Sequence, residues 1–394
     1  MTIHPTRGRV AGRTLAFTES VIREMTRIAR EHGAVNLAQG FPDFPAPQVL
    51  KEAAVEAVRG DLNQYAITWG SARLRAALEA KYLNLYGMEV DGTRELTVTC
   101  GATEAMAAVM LALVDPGDEV IVLEPFYENY GPDAILSQAK PVLVPLDPPG
   151  FRLDPQRLRA AVGPRTRAVI LNTPNNPTGR VFDSDEIAAI AQLAIEEDFF
   201  IITDEIYEHI LYEGTHHCLA ADPALRDRVV VVSGFSKTFS VTGWRVGTIL
   251  APPDLTAAIR KVHDFLTVGA PAPLQDACAV GLETLGPDYY AALADGYRER
   301  RSVLLQALDA AGFAFTSPEG AYYVLADFRA LGGEDDVAFS RRLTREAGVA
   351  PVPGSSFFSR AESGRDLVRF AFCKRIETLE DAGERLVRFA RAGG

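Results

Sequence analysis

The sequence predicts an α/β protein: a large domain with a mostly parallel, seven-stranded sheet covered by helices, followed by a smaller α/β domain. Three observations point there. Between about residues 95 and 252, short apolar, β-branched runs end in turn residues, as strands do. Longer stretches of helical spacing lie between several of these runs. The runs are apolar on both faces, which suits strands of a parallel sheet with helices on both sides.

Taken in order, residues 34–47 carry Gly40 and three prolines and read as an irregular link between an N-terminal arm and the large domain. The seven runs are 96–99, 119–123, 141–145, 168–171, 199–203, 229–232 and 247–250. Clear helical stretches are 103–114 and 185–196. The second is preceded by Asp183, with Glu186 three residues on, a capping-box signal. After about Gly286 the pattern changes. Residues 297–311 read as a charged amphipathic helix, 321–326, 349–351 and 367–372 as strands, and 337–346 and 379–391 as helices. The expected units are residues 1–45 as an arm and part of the small domain, 46–285 as the large domain, and 286–394 as the small domain.

Composition sets limits. A chain of 394 residues suggests about two domains. Hydrophobic residues make up 47% and charged residues 23%, ordinary for a protein with a large core. The net charge of −12 argues against nucleic acid or an anionic membrane as a general partner. Cys100, Cys218, Cys278 and Cys373 are far apart and form no C-x-x-C pair, so a reducing cytosol is the expected compartment. Arg7, Arg9, Arg13 and Glu19, with no apolar core between them, do not read as a secretory signal. No apolar run approaches the roughly 20 residues that span a bilayer. No internal repeat or low-complexity tract is present.

In an open α/β sheet, ligands bind at the C-terminal ends of strands. Gly101-Ala102-Thr103 follows the first run and opens a helix. Residues 172–179, Asn-Thr-Pro-Asn-Asn-Pro-Thr-Gly, follow the fourth, and Asp204-Glu205-Ile206-Tyr207 the fifth. Ser233-Gly234-Phe235-Ser236-Lys237 follow the sixth, and Arg245 comes eight residues later. One crevice would then hold a lysine, an aspartate, a tyrosine, an asparagine, an arginine and a helix N-terminus. That set suits an anionic phosphate cofactor with a ring. The helix start at Ala102 and Thr103 offers free N–H groups and the positive dipole end. Arg245 adds a planar charge and Ser236 a hydroxyl. Neither G-x-x-x-x-G-K-[ST] nor G-x-G-x-x-G occurs, so P-loop and dinucleotide fingerprints are missing.

The series Asn175-Asn176-Pro177-Thr178-Gly179, Asp204-Glu205-Ile206-Tyr207, Ser236-Lys237-Thr238 and Thr242-Gly243-Trp244-Arg245 resembles the class I (class I/II) aminotransferases of fold type I. The resemblance runs from Asn36 to Lys374, with the four motifs in the family's order and spacing. It implies pyridoxal 5'-phosphate (PLP), with Lys237 holding it as a Schiff base and later moving a proton as a free amine. That amine must titrate well below a free lysine. The resemblance also implies that Asp204 pairs with the pyridine nitrogen, that Tyr207 and Asn176 bond the phenolic oxygen, and that Tyr127 stacks on the ring. Gly101, Ala102, Thr103, Ser236 and Arg245 would hold the phosphate. Arg369, with Gly40 and Asn176, would take the substrate carboxylate. Tyr65 would reach the phosphate of a neighbouring subunit, making a homodimer with shared sites.

Each residue also has an ordinary reading. A lysine after a strand is usually solvated or structural. Asp204 alone reads as a helix N-cap, residues 176–179 as a turn, and Arg245 and Arg369 as surface charges. Tyr127 and Tyr65 can simply pack, and Gly40 can serve only the bend before Phe41-Pro42. His216-His217-Cys218 reads as a solvated turn and not a metal site, and the arginines of 297–311 as a solvated face. It is the joint pattern that favours chemistry.

Two departures from the family pattern stand out. Where many members place a phosphate-binding serine three residues before the lysine, this chain has Gly234, with Ser233 beside it. No arginine lies between Arg260 and Arg298, and Thr103 replaces a lysine of some relatives, so a dicarboxylate donor is disfavoured. Gly40-Phe41-Pro42-Asp43-Phe44 and residues 125–130 resemble the kynurenine, glutamine and methionine transaminase branch. The expected reaction is transfer of an amino group from an aromatic or sulfur-containing L-amino acid to a 2-oxo acid such as 2-oxoglutarate. Rival readings are β-elimination from a cysteine conjugate, an aspartate-type transaminase, and a non-enzymatic PLP-binding regulator, which would need a DNA-binding domain not readable here.

Overall fold

The computed structural model describes residues 10–333 and 335–393; the first nine residues of the expected arm, with Arg7 and Arg9, lie outside it. After β1 (Val35–Asn36), seven strands follow in the large unit. They are β2 (Leu96–Thr99), β3 (Glu119–Glu124), β4 (Lys140–Pro145), β5 (Thr166–Asn172), β6 (Phe200–Asp204), β7 (Val229–Gly234) and β8 (Gly247–Leu250). They form one sheet in the order β2-β8-β7-β6-β5-β3-β4. Only β8 runs against its neighbours, pairing antiparallel with both β7 and β2. All seven runs expected from the sequence are therefore strands of one sheet.

Their burial explains the pattern. β2, β3, β7 and β8 are buried at every position, because helices cover both faces. The helix Ala102–Leu113 lies on one side with Pro253–Thr267, sharing a core with Val120, Ile170, Ile202 and Val230. Alternate positions such as Ile121, Val169, Ile201 and Val231 point to the opposite core. Asp183 caps the helix Ser184–Glu196 through a complete capping box with Glu186, as the spacing predicts.

A second sheet follows. β9 (Ala314–Phe315), β10 (Tyr323–Asp327), β12 (Val352–Pro353) and β13 (Leu367–Ala371) form an antiparallel sheet, while β11 (Val349–Ala350) pairs in parallel with β1. The N-terminal segment thus joins this smaller unit through β1. Three expectations are corrected here. The strand expected at 321–326 starts at Tyr323, because Ala321 has a left-handed φ of 54°. The strand expected at 349–351 is split, because Pro351 has no N–H to donate and the chain changes sheets there. The helix expected at 337–346 covers Asp336–Arg342 and then widens into a π-turn at Leu343–Ala347.

The helix expected from 297 begins at Pro287 and runs to Ala311. The Arg298 side chain is 43% exposed and pairs with Asp295, as a solvated face would have it, but Arg300 and Arg301 turn inward. The Arg300 guanidinium lies 4.4 Å from the Phe44 ring centre and donates to the Lys374 carbonyl at 2.8 Å. Arg301 stacks on Tyr212 and donates to the Pro318 carbonyl at 2.6 Å. The helices Val21–Glu31, Gln48–Arg59, Ala72–Tyr86, Pro253–Thr267 and Ala272–Thr284 were not foreseen. No helix among the described residues is long and apolar enough to cross a membrane.

Candidate active site

The C-terminal ends of β2, β3, β5, β6 and β7 deliver Gly101, Tyr127, Asn176, Asp204–Tyr207 and Lys237 to one edge of the large sheet. Because β8 runs the other way, its start lies at this edge, and the start is where Arg245 stands. The small unit brings β13 and β10 across the same edge with Arg369 and Tyr322–Tyr323.

Lys237 is the centre. Its Nζ donates to the Gly40 carbonyl at 3.2 Å and lies 5.7 Å from the Tyr322 ring centre. Burial lowers the amine to about 8, with Arg245 and Arg369 acting the same way and Asp204 opposing. Asp204 is buried and accepts from the Tyr130 hydroxyl at 2.7 Å and from the Ile206 N–H at 3.3 Å. Burial pushes its carboxyl above the ordinary range, and those two hydrogen bonds pull it back. Asp204 is no simple N-cap, since no helix starts there.

The residues expected to hold the phosphate also converge. Gly101 has φ +83°, and a Cβ there would come 2.4 Å from the Arg245 guanidinium. Only glycine lets the arginine lie against this turn. Arg245 itself has a left-handed φ of 55°, donates to the Thr242 carbonyl at 2.9 Å and approaches the Thr103 hydroxyl at 3.5 Å. Ala102 and Thr103 open the helix Ala102–Leu113, whose N-cap has no side-chain partner. Ser236 is buried, and its hydroxyl makes no hydrogen bond among the described residues.

Arg369 is fully buried, not a surface charge. It donates to the Asn176 side-chain oxygen at 2.8 Å and to the Ala38 carbonyl at 2.6 Å, and its Nε has no partner. Among the described residues no carboxylate forms an ion pair with it. A buried guanidinium without a counter-ion is costly unless an anion completes it. Asn176 spends its oxygen on Arg369, which leaves its amide N–H groups to donate. The Tyr207 hydroxyl is 3.1 Å from that of Tyr323. Gly40 does more than bend the chain, since a Cβ there would come 2.0 Å from the Tyr323 hydroxyl. Tyr65 alone of the expected residues stands away from its own chain, 86% exposed.

The structure adds residues that the sequence reading missed. Tyr130 supports Asp204 and packs edge-on to Tyr127 at 5.8 Å. Its place in residues 125–130, after a strand end, was the only signal. Lys374 is 3% exposed and donates to the Phe41 carbonyl at 2.7 Å and to the Gln39 carbonyl at 3.3 Å, so it clamps the Gly40 turn. Gly234 cannot carry a phosphate-binding side chain, because a Cβ there would come 2.9 Å from the Gly247 Cα and the Val246 carbonyl. The neighbouring Ser233 donates instead to Glu208 at 2.9 Å.

His216 corrects another reading. Its side chain is only 4% exposed and pairs with Glu205 at 2.7 Å, so it is no solvated turn. Burial opposes its protonation, but Glu205 and Glu208 together hold its pKa above the ordinary value. Glu205, Glu208 and His216 are spaced closely enough for a metal ion. Lys81 already sits 2.6 Å from Glu208, however, and His216 bonds Glu205, so each carboxylate has a nitrogen partner without one.

A buried, depressed lysine amine, a buried carboxylate, a glycine turn against an arginine at a helix start, and a second arginine without a counter-ion fit an enzyme that does PLP chemistry on amino acids. The chain belongs to the family described as aminotransferase class I and II, which it matches over residues 32–386. It is 42% identical over 368 residues to the methionine aminotransferase of Escherichia coli strain K12, covering 93% of this chain and 95% of that protein. It is 34% identical over 396 residues to human kynurenine–oxoglutarate transaminase 1, covering 92% and 94%. The solved structure of N-succinyldiaminopimelate aminotransferase from Mycobacterium tuberculosis superposes with a TM-score of 0.94 at 42% identity, over 96% of this chain and all of that one. The protein is a PLP-dependent aminotransferase of fold type I, acting on an amino acid and a 2-oxo acid.

The residues fit the cofactor. The Gly101–Arg245 cradle and the unengaged Ser236 hydroxyl suit a phosphate. A protonated ring nitrogen would relieve the cost of burying Asp204.

Proposed function

We propose that this enzyme moves the amino group of an aromatic or sulfur-containing L-amino acid to a 2-oxo acid such as 2-oxoglutarate. The observation that carries the site assignment is Arg369, a buried guanidinium with no carboxylate partner, beside Asn176. It takes the substrate α-carboxylate, with Gly40 at the same place. Bound PLP supplies an electron sink for the substrate's Cα. Lys237 anchors it, and its depressed amine then carries the proton. Asp204 keeps the ring nitrogen protonated, with Tyr130 fixing the carboxylate. Tyr207 and the Asn176 amide donate to the phenolic oxygen, and Tyr127 covers the ring face. Gly101, Ala102, Thr103, Ser236 and Arg245 hold the phosphate.

The donor class is supported by aromatic surroundings. Tyr323 and Phe357 lie 4.3 and 4.8 Å from the Arg369 guanidinium. The relatives named for methionine and kynurenine support it as well. We further propose a division into residues 1–45, 46–285 and 286–394. A homodimer with shared sites is supported by one exposed apolar face: Tyr65, Ile67, Phe265, Leu266 and Val268. Its two segments touch where Gly269 lies against Thr68. Four free cysteines fit a reducing cytoplasm.

The test is an absorbance spectrum of purified protein before and after single amino acids, without acceptor. Methionine, phenylalanine, kynurenine, N-succinyldiaminopimelate and aspartate make the panel. A visible band converted to the pyridoxamine form fastest by methionine or an aromatic donor is the expected result. Faster conversion by aspartate or N-succinyldiaminopimelate overturns the donor class. A persisting band with pyruvate formation from a cysteine conjugate points to elimination.

A further inference from the structure

Next to the residues matched by the family motifs stands a second buried phenol. Tyr323 is 3% exposed, and its hydroxyl lies 3.1 Å from that of Tyr207. The two rings are nearly perpendicular, at 87°, with centres 5.9 Å apart. They come from different sheets: Tyr207 follows β6, and Tyr323 opens β10. Tyr323 is held tightly. The Arg369 guanidinium lies 4.3 Å from its ring centre, and Gly40 fits against its hydroxyl only because it has no Cβ.

A phenol has one proton to give and two lone pairs to accept with. Two hydroxyls at this distance share one hydrogen bond, whose direction depends on what else each faces. We infer that Tyr323 is a positioning residue that donates to Tyr207 and so leaves Tyr207's own proton for the cofactor's phenolic oxygen. This rests on the role proposed for Tyr207. If Tyr207 gives its proton to that oxygen, its bond with Tyr323 can run only one way. Linked hydrogen bonds polarise one another, so the second phenol makes Tyr207 a stronger donor to a negatively charged oxygen. Tyr322 cannot take over, because its hydroxyl is committed to the Gly40 carbonyl at 2.9 Å.

Other groups face the pair and set its background. Asp204 and Tyr127 act on Tyr207 from the large sheet. Arg369, Cys373 and Tyr322 act on Tyr323 from the small unit. Exchanging Tyr323 for Phe removes one hydroxyl and leaves all of these in place.

The visible band of the holoenzyme is titrated with pH for wild type, Tyr323→Phe, Tyr207→Phe and the double variant. A donor on the phenolic oxygen favours the form of the bound cofactor that has lost its proton, so it lowers the midpoint. Tyr323→Phe should raise the midpoint by about half a pH unit or more, as loss of one neutral hydrogen bond implies. Tyr207→Phe should raise it further, and the double variant should match Tyr207→Phe alone. A Tyr323→Phe midpoint equal to wild type overturns the relay. So does a Tyr323→Phe shift that persists undiminished without the Tyr207 hydroxyl. Absence of a visible band in the wild type with added PLP overturns the cofactor reading, and the relay with it.

Discussion

At the residue scale, burial decides the chemistry. A lysine amine lowered to about 8 is neutral in a substantial fraction of molecules near pH 8. The rate at which apoenzyme takes up added PLP should therefore rise with pH through a midpoint near 8, followed by the growing visible band. Lys237→Ala should lose that band and at least about 100-fold in kcat, the scale of a positioned general base. Asp133 is a different case. It is buried near Asp204, one of its oxygens has no partner, and burial raises its carboxyl to about 7. A raised carboxyl favours the protonated fold, so stability falls as pH rises from about 4 to 7. Asp133→Asn should remove that fall and raise stability at pH 8 by about 1–3 kcal/mol, measured by urea unfolding. Lys237, Asp204, Asn176 and Arg369 were legible as residues because each sits at a fixed offset from a strand or motif. Tyr130 and Lys374 were not, since a tyrosine or lysine declares a role only when its partner is known.

At the element scale, the ends of strands carry the function. β7 and β8 approach so closely that a Cβ on Gly234 would meet the Gly247 Cα, and a Cβ on Gly247 would in turn meet the Gly101–Ala102 backbone. Gly234→Ser should not add a phosphate ligand; it should cost about 1–3 kcal/mol by overpacking and lower the melting temperature. The turn at Gly40 depends on Lys374. Lys374→Met keeps the stem but removes the donor to the part-buried Phe41 carbonyl, while the Gln39 carbonyl keeps the Phe41 N–H. It should cost about 1–3 kcal/mol and raise KM for the amino donor more than it lowers kcat, in steady-state assays. All seven large-sheet strands were readable because helices on both faces demand uninterrupted apolar runs. The small unit was read less well. Its strands are short, and a proline or one left-handed residue, Pro351 or Ala321, moves their boundaries. Helices such as Ala72–Tyr86 escaped because their packing partners lie far along the chain; the Lys81 side chain, for instance, is buried against Glu208 at 2.6 Å.

At the scale of the whole molecule, the site lies where the two sheets meet, and the homodimer proposed above rests on the exposed face with Tyr65 and Phe265. Homodimers of Tyr65→Ala and of Lys237→Ala should each be impaired. Mixed after partial unfolding, they should regain up to one intact site per hybrid dimer, because in the proposed homodimer the Tyr65 of one chain completes the site that holds Lys237 of the other. Failure to regain activity in hybrids separated by affinity tag would show that each chain completes its own site. The sequence by itself determined the fold class, the order of the large sheet's strands along the chain and the cofactor chemistry. These depend on local periodicity and on motifs a few residues long. Only the tertiary structure decided that Arg369 is buried without a counter-ion, that Arg300, Arg301 and His216 are not solvated, and that Tyr323 meets Tyr207. Those facts depend on contacts between residues tens to hundreds of positions apart, and sequence spacing carries no information about such distances.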